Sequence, residues 1–306
     1  MKDDFEKLHS ASQEAVMQEQ ERMSLRDSLI DHIAKHPLRD EAEAVVPESR
    51  ITYIGISLLV SVIALLLFAS IGRCVEPGRA CAAVQHFDSF FAPKTALPRF
   101  LADIFLFITY LAEPTVVLGI GVVVILVLAL VHERRVAALV LSGFVIGDVL
   151  AEFFKSFFLR IRPPELLYLL PRTGYSFPSG HAIVAMVFYG FMGYCLMEAV
   201  PESSPAKRRL IVCITALIVF LIGASRVILG YHYASDVVGG WLLGGAVLSL
   251  LIAAYHTAHI SWKVEDSPWG RFSHGLRIGI IAALVIFLGF WVIMFYITHP
   301  IQFVIS

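Results

Sequence analysis

The chain has 306 residues, of which 58% are hydrophobic and 16% charged, whereas an average soluble domain is about 45–50% apolar and about 25% charged. Twenty-four Lys and Arg balance 25 Asp and Glu to a net charge of −1, and no basic tract stands out as a reader of phosphate backbones, so a nucleic-acid partner is not expected. The apolar excess is gathered into runs long enough to cross a hydrocarbon core, which needs about 20 residues; the composition therefore excludes an ordinary water-soluble domain.

In chain order, residues 1–50 are polar and lack the short apolar core of a secretion signal. They are expected to form a cytoplasmic extension, with 51–72 as an uncleaved signal anchor. Leu25, Leu29 and Ile33 recur at i, i+4 and i+8, the pattern of a short amphipathic helix resting on the membrane or the bundle. The heptads do not persist, so no coiled coil follows. Spanning helices are predicted at 51–72, 114–131, 136–160, 181–200, 210–228, 236–256 and 277–298. The stretch 99–112 is apolar but carries Asp103 and closes on Glu113-Pro114; it reads as an interfacial or re-entrant helix leading into the second span. The fold class is thus all-α, a polytopic membrane helix bundle.

Arg134 and Arg135, then Lys207, Arg208 and Arg209, then Lys263, Arg271 and Arg277 fall in alternate connections. By the positive-inside rule these connections and the N-terminus are cytoplasmic, and 73–113, 161–180 and 229–235 lie outside. The first outer connection also carries Arg73, Arg79, Lys94 and Arg99, so the bias is imperfect. Cys74 and Cys81 sit in that connection, where spacing alone leaves a bridge and two free thiols equally open. Cys195 and Cys213 lie in apolar segments and are expected to be buried packing residues.

Three patches at predicted span ends interrupt the apolar background, all on the same side. KSFFLRIRPP places Lys155 seven residues before Arg162-Pro163. YSFPSGH ends in Pro178-Ser179-Gly180-His181. SRVILGYHYASD supplies Ser225-Arg226, His232 and Asp236. Brought together, they suit a phosphate ester. Lys155, Arg162 and Arg226 can neutralise its oxygens, the guanidinium forks in bidentate fashion. Ser179 and Gly180 open a helix whose free N–H groups attract an anion. Asp236, one helical turn from His232, can accept a ring N–H and fix the tautomer, leaving the other nitrogen free to attack phosphorus. His181 can protonate the leaving oxygen and then activate water. A metal held by His181, His232 and Asp236 is conceivable, but three cations repel a divalent ion, so neither a metal nor another cofactor is expected.

These patches resemble the tripartite signature of the type 2 phosphatidic acid phosphatase superfamily, which includes bacterial acid phosphatases and vanadium haloperoxidases. That signature reads Lys-x6-Arg-Pro, Pro-Ser-Gly-His and Ser-Arg-x5-His-x3-Asp, and this chain meets each spacing in order. The resemblance covers roughly 51–256. It implies a six-helix membrane phosphatase core and metal-independent hydrolysis of a phosphomonoester or diphosphate, with His232 as nucleophile, His181 as acid and base, and the remaining matched residues binding phosphate. The expected plan is an extension (1–50), the core (51–256), and a linker with one extra transmembrane helix (257–306). In a bacterium the expected setting is the inner membrane with the site on the periplasmic side. A lipid phosphate is the expected substrate, undecaprenyl diphosphate first, with phosphatidate, phosphatidylglycerophosphate and lipid A as alternatives. A lipid phosphotransferase and an ion transporter are the competing readings. Oligomeric state is not encoded.

Other residues carry weaker signals. Asp148, Glu152 and Lys155 share one helix face, with Glu152 expected to position Lys155. Arg160, outside the signature, reads equally as a ligand for a second phosphate or a lipid head group and as an interfacial anchor. Tyr175 and Tyr231 are as consistent with lining a pocket as with packing. Gly240-x-x-x-Gly244 marks a close helix contact. His256, His259, His274 and His299 have no companions at useful spacing, which suggests surface or interface positions.

Overall fold

The computed structural model describes residues 48–79, 81–95, 97–130, 133–164 and 174–257, with scattered helical positions between 17 and 28. The chain divides into two units at 48/49. The amphipathic pattern at Leu25, Leu29 and Ile33, the span expected at 277–298, and His259, His274 and His299 fall outside the described residues.

Among the described residues of the second unit there are eight helices and no strand. They are α1 (Glu48–Val75), α2 (Ala82–Phe91), α3 (Arg99–Tyr110), α4 (Pro114–Leu130), α5 (Arg134–Phe158), α6 (Gly180–Glu198), α7 (Pro205–Ile228) and α8 (Ala234–Thr257). Five are long and apolar enough to cross a membrane. Helices are the natural solution there, because every backbone polar group in hydrocarbon must be satisfied within its own segment.

The α3–α4 pair covers the interfacial or re-entrant helix expected at 99–112 and the span expected at 114–131. The two helices meet across a short break with a bend of 46°, the geometry of a broken span or of a re-entrant loop. Pro114 explains the break: it has no N–H to donate, so it suits the first position of a new helix. The Leu111 carbonyl freed there accepts the Tyr189 hydroxyl at 2.6 Å. Tyr189 ends a π-helical stretch, Ala185–Tyr189, inside α6.

The core sits where α6 and α8 pack against α5 and α7. Gly240 and Gly244 are the close contact that the sequence marks. A Cβ at Gly240 would stand 2.7 Å from the Ser179 carbonyl oxygen and 2.8 Å from the Ala182 Cβ; one at Gly244 would stand 3.0 Å from the Ile183 carbonyl. These glycines therefore let α8 lie directly against the first turn of α6. Phe177, just before that turn, is fully buried and packs with Phe68, from α1, and Phe158, from α5.

Cys74 and Cys81 form a disulfide, resolving the choice that spacing left open. Cys195 is buried as expected, but Cys213 is exposed. His256 stacks on Tyr53 with ring centroids 4.9 Å apart, and lies 2.7 Å from the Tyr194 hydroxyl, a packing position at the end of the bundle away from the three patches.

Replacing Gly240 by Ala should cost about 1–3 kcal/mol, because its obstacle is backbone that cannot rotate away. Gly245 has nothing within 4 Å of its Cβ position, so Gly245→Ala should leave the unfolding temperature in detergent nearly unchanged. Equal melting temperatures for the two variants would contradict the packing described.

Candidate active site

The three patches converge at one end of the bundle. α5 ends where Leu159 adopts φ 50°, the only positive φ among described non-glycine residues, and its N–H donates to the Lys155 carbonyl at 3.1 Å. This left-handed stop costs a branched residue on the order of 1–2 kcal/mol and turns the chain sharply into Arg160, Ile161 and Arg162. A second left-handed residue, Gly230 at φ 76°, reverses the chain after α7 and delivers Tyr231 and His232. Their amides both donate to the Arg226 carbonyl, at 3.0 and 3.2 Å.

Asp236 joins the patches. Its side chain is fully buried; Oδ2 accepts the Ser176 hydroxyl at 2.5 Å and the Tyr233 amide at 2.9 Å, and lies 3.4 Å from His232 Nδ1. Oδ1 accepts Arg160 Nη1 at 2.5 Å. Its backbone carbonyl accepts the Ser179 amide at 3.0 Å, tying the start of α8 to the start of α6. The His232–Asp236 separation is long for a hydrogen bond.

With Nδ1 turned to the carboxylate, His232 Nε2 lies 3.3 Å from Arg162 Nη1. Arg162 is braced by the Tyr231 carbonyl at 3.0 Å and the Gly174 carbonyl at 3.1 Å. Arg226 donates to the Thr109 hydroxyl at 2.8 Å, and its guanidinium lies 4.4 Å over the Tyr231 ring. Burial, with Arg226 and Arg162 assisting and Asp236 opposing, lowers the His232 pKa from 6.5 to about 4. The imidazole is therefore neutral near pH 7, with a lone pair on one nitrogen.

Gly180 and Lys155 meet across the α5–α6 contact: a Cβ at Gly180 would lie 3.6 Å from Lys155 Nζ. Lys155 pairs with Glu152 at 2.5 Å, as the helix spacing suggested, while Asp148 is exposed and stands apart from that pair. Ser179 is fully buried, and its Oγ has no hydrogen-bond partner among the described residues. His181 is nearly buried, and its Nε2 lies 3.2 Å from Glu113 Oε2 at the α3–α4 break.

Every residue singled out from the three patches thus reaches one locality. The sequence did not reveal three others, and it marked a fourth, Arg160, without its partners. Glu113 stands beside His181; Ser176 and Arg160 bind Asp236; Asp88, on α2, accepts Arg160 Nη2 at 2.6 Å. The Arg160 guanidinium is paired with two carboxylates, Asp88 and Asp236, which neither sequence reading included. Burial opposes its charge, but Asp236 and Asp88 more than offset that and raise its pKa. Tyr231 is a buried packing residue under Arg226, while Tyr175 is exposed.

The family model described as the PAP2 superfamily matches residues 136–260. A protein named phosphatidylglycerophosphatase B from Bacillus subtilis is 30% identical over 53% of this chain and 80% of its own length. A protein named undecaprenyl-diphosphatase from Sulfolobus acidocaldarius is 34% identical over 46% of this chain and 65% of its own. One named lipid A 1-phosphatase from Rhizobium etli is 28% identical over 44% and 56%, respectively. The crystal structure of a transmembrane PAP2-type phosphatidylglycerolphosphate phosphatase from Bacillus subtilis shares the fold, with a TM-score of 0.57 at 23% identity, covering 66% of this chain and 98% of that one. With the motif residues gathered at one end of an apolar helix bundle and a relative matched over most of its length, the chain belongs to the PAP2 superfamily as an integral membrane phosphatase.

Proposed function

We propose that this lipid phosphatase hydrolyses a phosphate or diphosphate through a phosphohistidine formed on His232, without a metal, at the outer membrane face. The observation that carries the reading is the setting of His232: a buried neutral imidazole with Nδ1 facing Asp236 and Nε2 beside the Arg162 guanidinium. A phosphoryl group drawn to Lys155, Arg162 and Arg226 comes within reach of that lone pair. The Ser179 hydroxyl and the first amides of α6 supply further donors.

In the first step Nε2 bonds to phosphorus as the ester or anhydride P–O bond breaks, and His181 gives its proton to the departing oxygen. In the second, His181 takes a proton from water, the resulting hydroxide bonds to phosphorus, and the P–N bond breaks. Inorganic phosphate leaves and both histidines return to their starting states. Fixed positive charge around the equatorial oxygens is the principal catalytic resource in such transfers.

The relatives carry the names of three different lipid phosphatases, so what they have in common is the phosphate end of the substrate. Undecaprenyl diphosphate is the leading candidate, supported by the 34% identical relative; phosphatidylglycerophosphate, phosphatidate and lipid A phosphates follow. The basic residues of alternate connections support a cytoplasmic N-terminus and a periplasmic site in a bacterial inner membrane. The proposed plan is an extension (1–50), a catalytic core (51–256), and a linker with an additional span (257–306).

Phosphate release from these four lipids in detergent will identify the substrate. His232→Ala should abolish turnover, while His181→Ala should spare activated leaving groups and penalise poor ones by about 10²- to 10⁴-fold. EDTA should leave the rate unchanged; strong inhibition would count against a site built on cationic side chains. The pH profile tests His232 directly. Its reactive form is neutral, and its pKa is lowered to about 4. The acid limb of kcat/KM, corrected for titration of the substrate phosphate, should therefore lie well below pH 6.5. A limb at the ordinary histidine value would show that His232 is not held as described.

A further inference from the structure

We propose that Arg160 and Asp88 are positioning residues for the hydrolysis, forming with Asp236 a buried carboxylate–guanidinium–carboxylate chain that fixes the orientation of the His232 ring. The proposal rests on the assignment of His232 as the nucleophile.

Arg160 is held on every side. Nη1 donates to Asp236 Oδ1 at 2.5 Å and to Ser235 Oγ at 2.7 Å, while Nη2 donates to Asp88 Oδ2 at 2.6 Å. The guanidinium lies 4.1 Å over the Tyr233 ring. Its backbone carbonyl accepts the Ser176 amide at 2.8 Å, and the Ser176 hydroxyl binds the other oxygen of Asp236. Side chain and main chain of Arg160 thus reach the same carboxylate from two directions. This leaves Arg160 little capacity for a substrate phosphate; its effect on chemistry has to pass through Asp236.

The two oxygens of Asp236 have different tasks. Oδ2 faces His232 Nδ1, and Oδ1 is anchored by Arg160. A carboxylate anchored at one oxygen cannot rotate about its bond to Cβ, so Oδ2 stays where it can accept the ring N–H and leave Nε2 as the nucleophile. Arginine suits this task because its planar fork spans two carboxylates at once, which a lysine ammonium cannot reproduce.

Asp88 is the far anchor. It is 6% exposed, and it accepts the Ser235 amide and hydroxyl, each at 2.8 Å. Ser235 is the second residue of α8, so Asp88 satisfies an unpaired N–H at a helix start and places negative charge at the positive end of its dipole. The same contact fixes α8, and with it Asp236. Asp88 lies on α2, whose start follows Cys81, and the Cys74–Cys81 bridge ties that start to the end of α1. A peripheral helix therefore contributes a carboxylate to the interior of the site.

The test uses the full chain in detergent, with phosphatidate and farnesyl diphosphate as probe substrates and inorganic phosphate as a competitive inhibitor. Arg160→Ala and Asp88→Ala should lower kcat by roughly ten- to a hundredfold, the usual effect of removing a partner of a catalytic ligand. The inhibition constant for phosphate should hold within about twofold, because no phosphate-binding cation is touched. Added guanidinium at millimolar concentration should restore part of the Arg160→Ala rate. In an Asp236→Asn background, Arg160→Ala should cost little more, because the two act as a unit. Wild-type kcat in either alanine variant, the full loss repeated in the Asp236→Asn background, or a parallel rise in the phosphate inhibition constant would overturn the proposal. If the alanine variants do not fold, Arg160→Lys decides: lowered kcat with an unchanged phosphate constant supports the chain, and wild-type kcat rejects it. His232→Ala separates the two levels. Turnover in that variant sinks the nucleophile assignment itself, whereas an inactive His232→Ala beside fully active Arg160 variants sinks only the positioning role.

Discussion

A fully buried carboxylate, Asp236, holds the catalytic end of this bundle together. Burying an unpaired charge is prohibitive, so such a group has to be surrounded by donors. Here the surrounding groups come from three separate places in the chain: Arg160 beyond α5, Ser176 ahead of α6, and His232 with the Tyr233 amide after the turn at Gly230. The need to compensate one charge thus forces distant segments to meet. Removing a partner would leave the charge exposed to a low-dielectric interior, which makes the arrangement discriminating as well as stable.

The apolar scaffold makes that meeting geometrically possible. In hydrocarbon, helices gain little from hiding apolar surface from one another, so close packing through small residues takes over. Gly240 and Gly244 bring α8 onto the first turn of α6, and that approach allows the Asp236 carbonyl to reach the Ser179 amide. The Phe68, Phe158 and Phe177 cluster fills the space behind the same segment. Two left-handed turns, at Leu159 and Gly230, then direct short connections inward instead of away from the bundle.

Much of this was legible in the sequence. Helices need a length and a composition, both local, and the spans at 136–160, 210–228 and 236–256 agree with α5, α7 and α8 to within a few residues at most ends. The matched residues were legible for the same reason: Lys155 to Arg162 and His232 to Asp236 are fixed offsets within single segments. Asp88, Glu113, Ser176 and Arg160 were not, because their importance lies in pairs far apart in sequence. Asp88 and Ser235 are separated by 147 residues, and Arg160 and Asp236 by 76. No periodicity records such pairs. Arg160 in particular sits at a span end, where a cation is ordinarily explained by snorkelling. The one local hint was that it lies two residues from Arg162, and that did not distinguish a ligand from a strut.

That distinction also explains how one small region keeps cations for two purposes. Arg160 is placed between Asp88 and Asp236, so its charge is spent inside the protein. Lys155, Arg162 and Arg226 are held differently: by a carboxylate on the same helix, by backbone carbonyls, and by a hydroxyl and an aromatic face, respectively. Those carbonyl, hydroxyl and ring contacts orient the guanidinium groups of Arg162 and Arg226. His232 meets opposite fields on its two nitrogens: negative from Asp236 at Nδ1 and positive from Arg162 at Nε2. On the proposed reading, that polarity holds the proton at Nδ1 and leaves the lone pair of Nε2 on the side from which an anionic phosphoryl group would be drawn.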